Sequence, residues 1–210
     1  MENPRVLENP VLNTVSLRRT AYKDRAAIEL TLPSSVNQDP AKEALIDRDF
    51  MAWSRDLDFS DGVIELSVAS VLAPHAPAYA RGFIGVAFRI DEQQRFESIY
   101  LRPANSRVDD QLRRNRSVQY VSYPEYTFPR LRAEEPGKYE TYVDVPMEEW
   151  IDLKLEVTGS AARLFVNNSI QPVLVVNDLK LGAAQRGGIG LWIEAGTVGY
   201  FADLVVTFDT

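Results

Sequence analysis

The chain of 210 residues reads as all-β, with two antiparallel sheets packed as a sandwich. Three observations predict this. Apolar residues recur at every second position through most of the sequence, the period of a half-buried strand, while helical periodicity is nearly absent. The alternating runs are short and evenly spaced, and Gly, Pro, Asn and Asp clusters separate them as turns. No linker or compositional break divides the chain, and 210 residues suit one substantial β core, so residues 1–210 are expected to form a single domain.

Taken in order, residues 15–19 and 26–32 are strand candidates, the second ended by Pro33-Ser34-Ser35. Residues 39–45 suit one helical turn, with Asp39 as cap and Pro40 in the first position. Phe59-Ser60-Asp61-Gly62 turns into 63–69, where Ile64, Leu66 and Val68 share a face. After a proline-rich loop at 73–78 comes 82–90, in which Ile84, Val86, Phe88 and Ile90 point one way and Gly85, Ala87 and Arg89 the other. Such small residues imply that something approaches that second face closely. Asp91-Glu92-Gln93-Gln94 leads into 96–102, where Ile99 and Leu101 continue the core face and set Phe96, Ser98, Tyr100 and Arg102 beside Arg89. Pro103 ends that strand, having no donor for the ladder. Residues 104–116 read as a loop too polar to bury. A strand at 117–122 precedes a loop in which Pro124 and Pro129 space Tyr123, Tyr126 and Phe128. Strands at 139–145, 150–157, 162–166, 173–176, 189–194 and 200–208 complete a meander, which is the pattern of a two-sheet sandwich.

Composition narrows the function classes. Hydrophobic content of 45% and charged content of 25% are those of a soluble globular protein, and no apolar run approaches the ~20 residues of a membrane helix. A net charge of −7 argues against sequence-independent nucleic-acid binding. Without cysteine there is no disulfide or thiolate chemistry, and with His75 as the one histidine there is no multi-histidine metal site. The opening MENPRVLENP has neither a basic n-region nor an apolar h-region, which implies either that the protein stays inside or that the sequence begins after a removed signal.

Against this acidic background, residues 81–132 hold ten of the eighteen arginines, no lysine and six acids, a local charge of +4. The planar guanidinium fork suits carboxylates, phosphates and hydroxyl pairs, and it stacks on aromatic rings. Arginines interleaved with tyrosines and amides on one polar face fit a sugar site. The same residues also fit a protein contact, or an ordinary surface on which the arginines pair with Asp91, Glu92, Asp109 and Asp110.

The segments DGVIELSVA, RGFIGVAFR, FESIYLRP, EEWIDLKLEVTGSAARLFVNN and GGIGLWIEAGTVGYFADLVVTF resemble the concanavalin A-like lectin/glucanase superfamily. They are most similar to bacterial domains described as 3-keto-disaccharide hydrolase or family 16-like. The resemblance covers residues 59–208, leaving 1–58 as N-terminal strands and loops of the same domain. It implies a jelly roll whose concave sheet binds carbohydrate, in a periplasmic or secreted setting. The alternation places Arg89, Tyr100, Arg102 and Gln119 on that sheet, and with Asn105, Arg107 and Tyr123 from the adjoining loops these are the expected ligand residues for an acidic or oxidised sugar. Trp192 is either a stacking platform or core. No cofactor is required. A structural calcium, as found in superfamily members, would involve Asp203, which could equally cap a turn.

The chemistry of an enzyme is harder to find. The glucanase signature Glu-x-Asp-x-x-Glu is absent, and the Gln-x-His strand of jelly-roll alginate lyases reads Gln119-Tyr120-Val121 here. A hydrolytic carboxyl pair would have to come from separate segments, with Glu125, Glu140, Asp109 and Glu194 as donors. A uronate lyase would need Tyr100, Tyr120 or Tyr123 as base, its pKa lowered by arginines. Glu125, Glu140 and Tyr123 are the catalytic candidates. A third class is a protein-interaction module, recognisable by a dimer that buries the arginine face.

Overall fold

The structure, a computed structural model, describes residues 7–39, 41–42 and 47–209. Its strands form two seven-stranded sheets with every ladder antiparallel. The first runs β1 (Val11–Asn13), β4 (Met51–Phe59), β13 (Gly187–Ile193), β6 (Ile84–Ile90), β7 (Phe96–Leu101), β8 (Val118–Tyr123), β9 (Glu140–Thr141). The second runs β12 (Leu174–Val176), β11 (Ala161–Val166), β10 (Ile151–Thr158), β5 (Gly62–Leu72), β14 (Thr197–Phe208), β3 (Arg25–Thr31), β2 (Ser16–Tyr22). The chain passes repeatedly between the sheets, for example from β4 to β5 and back to β6, and from β12 to β13 and back to β14, so each sheet draws on distant parts of the sequence. This is the expected jelly-roll sandwich.

In the second sheet the alternation is plain. Ile151, Leu153, Leu155 and Val157 of β10 are buried against Ile64, Leu66 and Val68 of β5, while Asp152 and Thr158 face out. Burying each such side chain stabilises the fold by about 1.5–3 kcal/mol, before the entropy of ordering is subtracted. The first sheet behaves differently, because every residue of β6 and β7 is buried. One face meets the other sheet. The opposite face is covered as well, in part by the segment leading into β4, whose Asp47 and Arg48 bond to Tyr100 and Trp192.

The helices were not legible in the periodicity. Residues 104–116, expected as an unburied loop, fall largely into α1 (Pro103–Ser106) and α2 (Gln111–Arg114), with Asn105 and Ser106 buried. Burial is tolerated because the Ser106 hydroxyl donates to the Val143 carbonyl at 2.8 Å and accepts from the Val145 amide at 2.8 Å. The aromatic loop after β8 contains α3 (Phe128–Glu134), which Pro129 opens from a first-turn position. Of the strand expected at 139–145, only Glu140–Thr141 pairs. Strands β1 and β4 were not anticipated, and most of the helical turn expected at 39–45 lies outside the described residues.

Strand β6 carries the irregularity that matters most for the site. Opposite β13, Phe88 pairs with Ile189 and Ile90 with Gly188, so Arg89 is an extra, unpaired residue with φ of 55°. It is a bulge, and it breaks the alternation that set Arg89 beside Arg102.

Candidate functional site

A row of residues crosses the first sheet on its outer face: Met51, Trp192, Gly85, Tyr100, Gln119, Glu140. Gly85 is the gap in that row. A Cβ there would lie 2.5 Å from the Tyr100 Cβ, so glycine is what lets Tyr100 stand where it does. Tyr100 and Trp192 meet across it with ring centroids 4.5 Å apart. The open trough expected along this face is therefore filled by the protein's own side chains. Trp53, Ser98, Tyr100, Gln119, Val121 and Trp192 are all buried.

Open space survives at one end of the face, where β6 begins, β7 ends and β13 ends. There a cavity of about 480 Å³ is bounded by Tyr79, Arg81 and Phe83 from the approach to β6, and by Tyr100 and Arg102 from β7 and its end. Asn105, Arg113 and Arg116 from the α1–α2 region, Phe128 and Arg132 of α3, Asp47, Glu194 and Ala195 close it. Five arginines face two carboxylates in this space.

Each carboxylate is already engaged. Asp47 is buried, its Oδ1 accepting from the Tyr100 hydroxyl at 2.6 Å and its Oδ2 from the Phe128 amide at 2.6 Å. Burial pushes the Asp47 carboxyl up, while the Tyr100 bond and the Arg102 and Arg132 charges pull it back. Glu194 accepts from Arg48 Nη2 at 2.5 Å and from the Arg48 and Ala195 amides. Burial also raises Glu194, and Arg48 opposes the shift.

The arginines are less evenly partnered. Arg132 donates to Glu140 from Nη2 at 2.7 Å, and Arg116 approaches the same carboxylate at 3.4 Å. By contrast, Arg81, Arg102 and Arg113 have no carboxylate within 4.0 Å among the described residues. Arg81 donates to the Ala78 and Ala80 carbonyls, and Arg113 to Asn105 Oδ1 at 3.1 Å. Arg102 donates to the Tyr100 hydroxyl at 2.7 Å and to Gln119 Oε1 at 3.2 Å, with its guanidinium over the Tyr100 and Phe128 rings. Burial lowers the Arg81 pKa, and the neighbouring Arg113 and Arg102 charges lower it further. These like charges are held together in a partly enclosed, ring-lined space, an arrangement that an anion would stabilise.

Of the ligand residues expected from sequence, Tyr100, Arg102 and Asn105 line the cavity. Gln119 lies behind them, holding Arg102 through its Oε1. Arg89 does not share their surroundings: its guanidinium is 0% exposed and donates to the Ser60, Gly182 and Gly159 carbonyls and to Asp61 Oδ1. Arg107 is exposed and pairs with Asp144 at 2.6 Å. The Tyr123 ring stacks on Phe96 at 5.0 Å. Trp192 is buried beneath the segment before β4, donating to the Arg48 carbonyl at 2.6 Å, so it is core and not a platform.

Among the catalytic candidates, Glu125 is exposed and 3.9 Å from Arg130, and Glu140 is clamped by Arg132 and Arg116. Asp109 is exposed, and Glu194 alone of the expected acids reaches the cavity. The lowered tyrosine pKa that a lyase base would require is reversed in the structure. Burial raises Tyr100, Tyr120 and Tyr123, and Asp47, Glu97 and Asp49 respectively add to the shift. Asp203, at a bulge in β14, directs its carboxylate to Arg25. Among the described residues no group of three or more His, Cys, Asp or Glu is arranged to hold a metal.

Asp47, Tyr79, Arg81, Phe83, Arg113, Arg116, Phe128 and Arg132 are cavity residues that the sequence reading did not select. Six of them lie inside the arginine-rich stretch or at its edge, so charge clustering carried the signal. Asp47 comes from a segment with no strand pattern to mark it.

No helix among the described residues is long and apolar enough to cross a membrane. No protein-family model and no curated protein matches the chain. Solved structures share its fold. A Bacillus subtilis protein of unknown function with a galectin-like fold superposes with a TM-score of 0.59 at 13% identity, over 95% of this chain and 89% of its own. The carbohydrate-binding module CBM66 from Bacillus subtilis gives 0.53 at 12% identity, over 92% and 94%. The Bacillus licheniformis beta-glucanase gives 0.50 at 10% identity, over 100% and 92%. The chain thus shares with these structures a two-sheet antiparallel sandwich fold.

Proposed function

We propose that the chain binds a carbohydrate carrying a carboxylate, or a similarly acidic oxidised sugar, in the cavity at the end of the first sheet. One observation carries the reading: Arg81, Arg102 and Arg113 face a single cavity, and none of them has a carboxylate within 4.0 Å among the described residues. A bidentate acid group would relieve their mutual repulsion, and Phe83, Phe128 and Tyr79 offer apolar faces to a sugar ring. Solved proteins of the same fold are named as a carbohydrate-binding module and a beta-glucanase, which makes a sugar the first acid to test. Calorimetric titration with uronic-acid oligosaccharides and neutral oligosaccharides of equal length provides the test. The acidic series should bind, and Arg113→Ala should weaken it about tenfold or more, roughly 1.4 kcal/mol, without collapse of the melting temperature. Equal binding of the neutral series, or unchanged binding by the variant, would overturn the proposal.

A hydrolytic reading draws on a separate observation. Two buried carboxyls, Asp47 and Glu194, line the cavity, and burial raises the pKa of both. Release of reducing ends from bound oligosaccharide, abolished by Glu194→Gln, would support it; no release from any bound oligosaccharide would remove it.

A further inference from the structure

We infer that a second cavity beyond Arg116 and Arg132 is a second sugar subsite, so that the ligand is a linear chain with acid groups on successive units and not a single sugar. The inference rests on the acidic-sugar reading of the first cavity. Arg116 and Arg132 line both spaces, and the second also has a volume of about 480 Å³, within the roughly 300–1,000 Å³ of small-molecule sites.

The shared wall has unfilled capacity. Glu140, which also lines the second cavity, engages Arg132 closely at 2.7 Å, whereas the buried Arg116 Nε lies 3.4 Å from the same carboxylate without completing a hydrogen bond. A ligand carboxylate reaching this wall from either side would meet two guanidiniums that share one carboxylate.

The far wall supplies the other half of a sugar's chemistry. Leu112 is 59% exposed and Tyr142 is 38% exposed, both lining this space. Tyr142 is braced, because Arg114 Nη2 donates to its hydroxyl at 3.1 Å and the guanidinium lies 5.0 Å from the ring centroid. An exposed but anchored ring beside a cationic wall suits a pyranose, whose C–H face packs on the ring while its acid group meets the arginines.

The test compares the monomer with the linear di- and trimers of glucuronic, galacturonic and mannuronic acids, titrated into the intact chain and into Tyr142→Ala. For the acid that binds, the dimer or trimer should bind about tenfold tighter than the monomer. Tyr142→Ala should remove that gain and leave monomer affinity unchanged. Equal affinity for monomer and oligomers, or oligomer binding indifferent to Tyr142→Ala, would overturn the second subsite while leaving the first cavity's function standing. Failure of all three acids at every length would overturn the acidic-sugar reading itself.

Discussion

Arg89 and Arg113 show how the same side chain serves two ends at the residue scale. Arg89 is fully buried and its donors meet three carbonyls and one carboxylate from the loops at Ser60–Asp61, Gly159 and Gly182. Truncating it would leave buried acceptors without partners, which costs about 3–5 kcal/mol. Arg89→Ala is therefore expected to lower the chemical-denaturation midpoint strongly, while the folded fraction titrates acidic oligosaccharide with wild-type affinity. A variant of near-normal stability but impaired binding would contradict this division. Arg113 is only half-buried and its bonds are to Asn105 and the Ala104 carbonyl, so its removal should be felt mainly by the ligand.

At the scale of the element, the β6–β7 pair builds the floor of the site through one small residue. A Cβ at Gly85 would lie 2.3 Å from the Ile99 carbonyl oxygen and 2.5 Å from the Tyr100 Cβ, neither of which can retreat without moving β7. Gly85→Ala should destabilise the fold by about 1–3 kcal/mol and, by displacing Tyr100, loosen Asp47 and Arg102 together. Unchanged stability with unchanged binding would show that the ring does not depend on that gap. The glycine itself was readable: the run Gly85, Ala87 announced a close approach, and the sandwich followed from period-2 runs such as Ile151, Leu153, Leu155 and Val157. What periodicity could not show was a break in its own rule. The bulge at Arg89 shifts the register by one residue, and no local propensity marks it in the sequence. Nor could alternation reveal α3, or the segment at Asp47 that bonds to Tyr100, because both are set by contacts across the face and not by neighbours in the chain.

Across the whole molecule, an acidic chain with net charge −7 gathers arginines around a cavity, so an anionic ligand is repelled broadly and accepted locally. The sandwich is also closed at its other end by a buried carboxyl. Glu97 accepts from the Tyr120 hydroxyl at 2.7 Å and from the Leu181 amide at 2.8 Å, tying β7 and β8 to the loop after β12. Burial raises the folded-state pKa of Glu97 above its ordinary 4.5, so the folded protein holds this proton more tightly than the unfolded chain. Its contribution to stability is then fully present below that ordinary value and is lost as pH rises through the raised one. The melting temperature of wild type minus that of Glu97→Gln should accordingly be largest at acidic pH and fall toward neutrality; a difference that grows with pH would show that the carboxylate is favoured by its site.

The cavity claim is tested most directly by a crystal structure of the chain with an acidic oligosaccharide bound. The account predicts a ligand carboxylate within hydrogen-bonding distance of at least two of Arg81, Arg102 and Arg113, with a sugar ring against Phe83 or Phe128. An oligosaccharide seated on the second sheet, or one in the cavity with its acid group turned to solvent, would contradict it.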